Sequence, residues 1–129
     1  QEMSTAVQFR APVKIFILNN EYMGMVRQWQ ELLHGGRYSH SYSDALPDFV
    51  KLAEAYGAKG IRCSDPAKLD AAIQEMIDHP GVVIFDCLVD KAENCLPMIP
   101  SGKAHNEMIL PDADEDIGSV IDDKGKMLV

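Results

Sequence analysis

The stretch Val13-Lys14-Ile15-Phe16-Ile17-Leu18-Asn19-Asn20-Glu21-Tyr22-Met23-Gly24-Met25-Val26-Arg27-Gln28-Trp29-Gln30 decides the fold. Val13 to Leu18 is nearly continuously apolar, the pattern of a short strand buried on both faces, as in a parallel sheet. Asn19-Asn20 ends that run. From Tyr22 to His34 the apolar residues Met25, Trp29, Leu32 and Leu33 recur at helical spacing, which predicts a helix stopped by Gly35-Gly36.

Upstream, residues 2 to 9 have helical composition and Pro12 predicts their termination. Downstream, Arg37 to Ser43 reads as a polar and aromatic loop. Pro47-Asp48 then introduces Phe49, Leu52, Ala53 and Tyr56 on a second helix closed by Gly57. Ala58 to Cys63 predicts a short strand. Ser64-Asp65-Pro66 offers an N-cap followed by proline at the first helical position, ahead of an amphipathic helix marked by Leu69, Ile73, Met76 and Ile77 and stopped by Pro80-Gly81. Val82 to Val89 is the clearest strand. Alternating strands and helices predict an α/β fold, a parallel sheet with helices on both faces. The expected organisation is an α/β domain over residues 1–90, a C-terminal arm of the same domain over 91–111, rich in proline and without periodicity, and an acidic tail over 112–129.

The 129 residues, 47% hydrophobic and 25% charged, fit one globular domain with an ordinary apolar core. The longest apolar runs are far shorter than the ~20 residues of a membrane span. A formal charge of −8 argues against sequence-independent nucleic-acid binding, where a basic face supplies most of the affinity. Much of that charge lies between Asp112 and Asp123, where six acids stand without a base. Cys63, Cys87 and Cys95 form no C-x-x-C motif, and their odd number fits a reducing compartment, so a cytoplasmic protein is the expectation.

Ligands of parallel α/β sheets bind outside the carboxyl ends of strands, where a following helix offers free N–H groups to a phosphate. Asn19-Asn20 followed by Gly24 has that form: glycine lets backbone approach an anion, and the Asn20 carboxamide oxygen is a ligand that Mg²⁺ accepts. The same pair also turns a chain after a strand, with no ligand involved. Trp29, Met25 and Val26 either pack in the core or wall a pocket, and periodicity does not separate the two. Asp112-Ala113-Asp114-Glu115-Asp116 echoes a calcium loop, but Ile117 stands where glycine is required, so a solvated acidic tail is the better reading. His34, His40, His79 and His105 have no metal-binding spacing, and no nucleophile elbow exists.

At these residues the sequence resembles the acetohydroxyacid synthase (acetolactate synthase) catalytic subunit, in its C-terminal thiamine diphosphate-binding domain. The resemblance rests on Gln1 to Ala6, the strand Val13 to Leu18, the run from Asn19 to Gln30, Pro47 to Gly57, and Leu96-Pro97-Met98-Ile99-Pro100-Ser101-Gly102. It implies that the enzyme decarboxylates pyruvate and joins the product to a second 2-oxo acid, in branched-chain amino-acid biosynthesis. Asn20 would bind Mg²⁺ through its side chain and Tyr22 through its carbonyl. Gly24 and Met25 would lie against the cofactor, Val26, Trp29 and Ser101 would line the substrate channel, and residues 90–110 would fold over the active site.

The family's cofactor motif opens with Gly-Asp-Gly, and only 18 residues precede Asn19, so this chain is expected to be truncated after that triplet. Its aspartate is the ion's anionic ligand in the family. Thiamine diphosphate and Mg²⁺ binding is therefore expected to be weak or absent, and the isolated chain inactive, with no catalytic residue of its own. The family's N-terminal domain and its FAD-binding middle domain become expected partners, together with a second copy of the chain and a candidate regulatory subunit. An alternative of another class is a non-catalytic interaction or dimerisation module, because a sheet edge and apolar helix faces would be left uncovered.

Overall fold

The structure, a computed structural model, describes residues 1–111. The expected acidic tail and the calcium-loop echo lie outside the described residues. The described residues divide into two compact units, Gln1–Asn20 with Ala45–Asp90, and Glu21–Asp44 with residues 91–111.

The first unit contains helix α1 (Glu2–Gln8), strand β1 (Lys14–Asn19), helix α3 (Phe49–Ala55), strand β2 (Lys59–Cys63), helix α4 (Leu69–Asp78) and strand β3 (Val83–Leu88). The sheet is parallel, in the order β1-β3-β2, with Lys14 and Lys59 both in register with Val83. Central β3 is nearly all buried, Val83 and Phe85 completely. Strand β1 departs from the expectation of burial on both faces. Among the described residues it is an edge strand, with Phe16 and Leu18 exposed, because a continuous apolar run does not say which strands flank it.

Alternate residues of the sheet face different helices, as the period of two requires. On one face Ile61, Cys63, Val83, Phe85 and Cys87 form the core with Leu69, Ala72, Ile73 and Met76 of α4. Phe16 meets Phe85 edge to face, with ring centroids 4.6 Å apart. On the other face a Cβ at Gly60 would lie 2.7 Å from Val50 Cα, so only glycine lets α3 approach β2 this closely. Helices thus cover both faces.

The caps follow the sequence. Asp48 accepts from the Val50 and Lys51 N–H groups at the start of α3, and Gly57 leaves that helix at φ +75°. Asp65 accepts from Ala67 N–H ahead of a 3₁₀ turn, Pro66–Lys68, that leads into α4. Helix α1 ends through Arg10 at φ +54°, two residues before Pro12.

The second unit is built on helix α2 (Gly24–Leu33), which starts two residues later than Tyr22 and leaves through Gly35 and Gly36, both with positive φ. Its buried side carries Arg27, Gln28 and Leu32. Residues 91–111 are largely irregular, with a 3₁₀ turn His105–Glu107 and an antiparallel bridge between Met98 and Ile109. Gln28 holds this segment from both sides: its Nε2 donates to Cys95 O at 3.0 Å, and Cys95 N–H donates to its Oε1 at 2.7 Å.

Candidate functional site

Each expected site residue has a defined place. Asn20, half-buried, ends the first segment of the first unit, directly after β1. Tyr22, in the second unit, is also half-buried and forms an antiparallel bridge with Tyr42, at a ring-centroid distance of 4.9 Å. Flanking main-chain groups make the bridge: Met23 N–H donates to Ser41 O and Ser43 N–H donates to Glu21 O, each at 2.8 Å. The loop Arg37 to Ser43 therefore has ordered pairing that its composition does not announce.

Between the two expected metal ligands stands Glu21 at φ +58°, a left-handed conformation uncommon outside glycine and asparagine. Lys91 donates to its carboxylate, and Tyr42 Oη donates to the same oxygen at 3.1 Å. The Lys91 hydrogen bond holds the Glu21 carboxyl below its usual range and raises Lys91, while the hydrogen bond that Tyr42 donates to Glu21 raises the Tyr42 phenol. These partners belong to the second unit and hold the strained residue in place. Sequence reading missed this cluster, because Glu21, Tyr42 and Lys91 are far apart in the chain and match no motif.

Gly24 and Met25 are the first two residues of α2, whose N-cap, Met23, makes no side-chain cap. Arg27 N–H donates to Met23 O, so the preceding N–H groups of Gly24, Met25 and Val26 have no acceptor within the helix. Together with the helix dipole they fit an anion such as a diphosphate. Ser41 is buried nearby, and its hydroxyl finds no partner among the described residues, as expected of a group that a ligand or water satisfies.

The two residues expected to ligate a cation offer neutral oxygens, the Asn20 carboxamide and the Tyr22 carbonyl. Glu21 is engaged elsewhere, and the described residues hold no cluster of three or more His, Cys, Asp or Glu able to bind a metal. A divalent cation on such oxygens would draw its negative charge from its ligand or from outside these residues.

Met25, Val26, Trp29, Gln30 and His34 line a groove of about 490 Å³ along α2. Trp29 is 41% exposed and Met25 53%, so the core-packing alternative for these residues does not hold. Ser101 does not line this groove; it sits on an exposed turn in which Lys103 N–H donates to Pro100 O. The structure thus brings Met25, Val26 and Trp29 together and leaves Ser101 outside their groove.

Arg27 is another residue that sequence reading passed over. Its guanidinium is buried, donates to Ala92 O and Asn94 Oδ1 at 3.1 Å, pairs with Glu31, and lies over the Tyr22 and Tyr38 rings at 5.7 and 5.6 Å. It ties the start of α2, the Tyr22 bridge and the segment after Lys91 together within the second unit.

Residues 1–87 match the family described as thiamine pyrophosphate enzyme, C-terminal TPP binding domain. The chain is 48% identical over 110 residues to the acetolactate synthase large subunit of Pyropia yezoensis, covering 84% of this chain and 19% of that protein. It is 45% identical over 113 residues to the acetolactate synthase isozyme 3 large subunit of Escherichia coli, covering 85% and 20%. The mitochondrial acetolactate synthase catalytic subunit of Saccharomyces cerevisiae is 48% identical over 108 residues, covering 84% and 16%. Among solved structures, a thiamine diphosphate-dependent 4-hydroxybenzoylformate decarboxylase from Rhodococcus jostii RHA1 superposes with a TM-score of 0.60 at 26% identity, covering 68% of this chain and 16% of that one. The chain spans about a fifth or less of the length of these relatives.

Proposed function

The chain belongs to the family of thiamine pyrophosphate enzyme C-terminal TPP-binding domains, and on that premise we propose that it is the diphosphate- and Mg²⁺-binding part of an acetolactate synthase. The observation that carries the reading is the start of α2 at Gly24, with no side-chain cap, four residues after Asn20. The N–H groups of Gly24 and Met25 bind the diphosphate, the Asn20 side-chain oxygen and the Tyr22 carbonyl bind Mg²⁺, and the Glu21 cluster keeps Tyr22 in position. Val26 and Trp29 present an apolar wall to the entering 2-oxo acid, while Ser101, on its exposed turn after β3, stays outside their groove.

When bound, thiamine diphosphate supplies the carbanion chemistry of pyruvate decarboxylation and condensation, in branched-chain amino-acid biosynthesis. This chain's residues orient the diphosphate and exclude water from one wall. Among the described residues, none of the carboxylates forms part of a cluster able to hold a metal ion. The 129-residue chain alone is accordingly inactive and binds the cofactor weakly. The rest of the enzyme, with the FAD site of the full-length family, a second copy of the chain and a regulatory subunit are its partners, in the cytoplasm. No described helix is long and apolar enough to cross a membrane.

Isothermal calorimetry with thiamine diphosphate, with and without Mg²⁺, tests the reading. Weak, Mg²⁺-dependent heat is expected, and its absence at the highest usable concentrations would overturn a residual cofactor site. Acetolactate formation by the isolated chain would overturn the predicted inactivity. One observation favours the non-catalytic association module as a second reading: the β1 edge leaves Leu18 69% and Phe16 39% exposed. Sedimentation showing only monomer at high concentration would remove it.

A further inference from the structure

Asn19, Asp86, Arg62 and Asp48 form a polar row across the sheet, on the face that carries α3. Register explains the row. Asp86 on β3 pairs with Ile17 on one side and Arg62 on the other, and Asn19 lies two residues beyond Ile17, so its side chain shares the Asp86 face. Asp86 is 1% exposed. Its Oδ1 accepts from Asn19 Nδ2 at 2.8 Å and its Oδ2 from Arg62 Nε at 2.9 Å. Arg62 in turn donates to Asp48 Oδ1 at 2.9 Å, and Asp48 caps α3.

A carboxylate removed from water is tolerated only where its lone pairs are taken by well-placed donors, so Asp86 dictates where these donors sit. The main chain of Asn19 is tied to the same strand, since Val89 N–H donates to Asn19 O at 3.1 Å. The end of β1, an edge strand with β3 as its single sheet neighbour among the described residues, is thus held by both the side chain and the main chain of one residue.

We propose that Asp86 is the positioning residue of the cofactor loop: by clamping Asn19 it sets where the chain leaves β1, and hence where the Asn20 side-chain oxygen is offered to the cation of the diphosphate. This rests on the cofactor reading above and extends it to a residue that touches neither ion nor diphosphate. Groups that orient a ligand in this way typically change metal affinity by about 10- to 100-fold when altered.

The test is a charge swap. Asn19→Asp sets two carboxylates against each other, whereas Asn19→Asp combined with Asp86→Asn restores the pair with its polarity reversed. The carboxamide at position 86 donates to the new carboxylate and keeps an oxygen for Arg62. Two quantities are measured by NMR: the Asn20 main-chain and side-chain amide resonances of the free chain, and the Mg²⁺-dependent affinity for thiamine diphosphate. Asn19→Asp should shift the Asn20 resonances and weaken binding about tenfold or more, and the swap should return both toward those of the unaltered chain. A merely stabilising pair would move thermal stability, leave the Mg²⁺-dependent affinity alone and give Asn20 shifts that the swap does not reverse, which would overturn the proposal. Failure of the swap to restore either would overturn it as well. If the unaltered chain binds no thiamine diphosphate, the functional reading falls and with it the cofactor consequence. The Asn20 resonances then decide the clamp alone: a shift that the swap reverses supports it, and an unmoved resonance overturns it.

Discussion

Gln28→Met offers a direct measure of what holds residues 92–98 to α2. Gln28 is 1% exposed, and methionine has similar length without either polar atom. The substitution removes two hydrogen bonds, Nε2 to Cys95 O and Cys95 N–H to Oε1, together with the weaker contact of Nε2 to Met98 Sδ at 3.0 Å. Each of the first two contributes about 1 kcal/mol net. Cys95 is exposed, so water can replace the lost partners on its side and the extra penalty for unpaired buried groups stays small. The expected loss is about 2 kcal/mol for opening this segment. At about 1.4 kcal/mol per factor of ten, that becomes roughly 30-fold faster exchange of the Cys95 amide. Amide hydrogen exchange read by NMR measures it directly, and residues of β3 serve as internal controls because they lie outside the opening segment. Unchanged protection of Cys95, or an equal rise throughout β3, would refute the idea that Gln28 is the local tie.

Gly60→Ala should destabilise the first unit by about 1–3 kcal/mol, because the new Cβ meets the Val50 main chain, which cannot yield without moving α3. Gly35→Ala, where nothing lies within 4 Å, should cost only the strain of φ +63°, about 1 kcal/mol, and denaturant titration compares the two. Asp48 is held below its ordinary 3.8, first by the Lys51 N–H and also by Arg62. Its contribution to stability is therefore full above 3.8 and lost as the pH falls through the lower folded value. A carboxyl ¹³C titration with a midpoint at or above 3.8 would contradict this. Cys95 should be alkylated first by a thiol reagent, ahead of buried Cys63 and Cys87, whose thiol is pushed up by burial. Mass mapping that finds Cys87 modified first in the native protein would show the burial to be wrong.

The fold was largely legible because its signals are local. Asp48 and Gly57 mark the ends of α3 through their own backbone bonding, and Val82 to Val89 is apolar enough to be read as a strand without knowing its neighbours. Strand order was not legible. Val13 to Leu18 and Val82 to Val89 look alike as apolar runs, yet β1 lies at the edge with Leu18 exposed while β3 is central. For α2 the spacing of Met25, Trp29, Leu32 and Leu33 announces a helix, but its buried side carries Arg27 and Gln28. Their burial depends on partners at Ala92, Asn94 and Cys95, more than sixty residues away.

The sequence by itself determined the class of fold, the family and the run of residues proposed to meet the cofactor, because these depend on periodicity, caps and a contiguous motif. Only the tertiary structure decided that Glu21 is held in a left-handed turn by Lys91 and Tyr42, that Trp29 lines a groove, and that Asp86 grips Asn19. Each of these depends on side chains made neighbours by chain folding, and a hydrogen bond acts over about 3 Å of space whatever the separation along the chain.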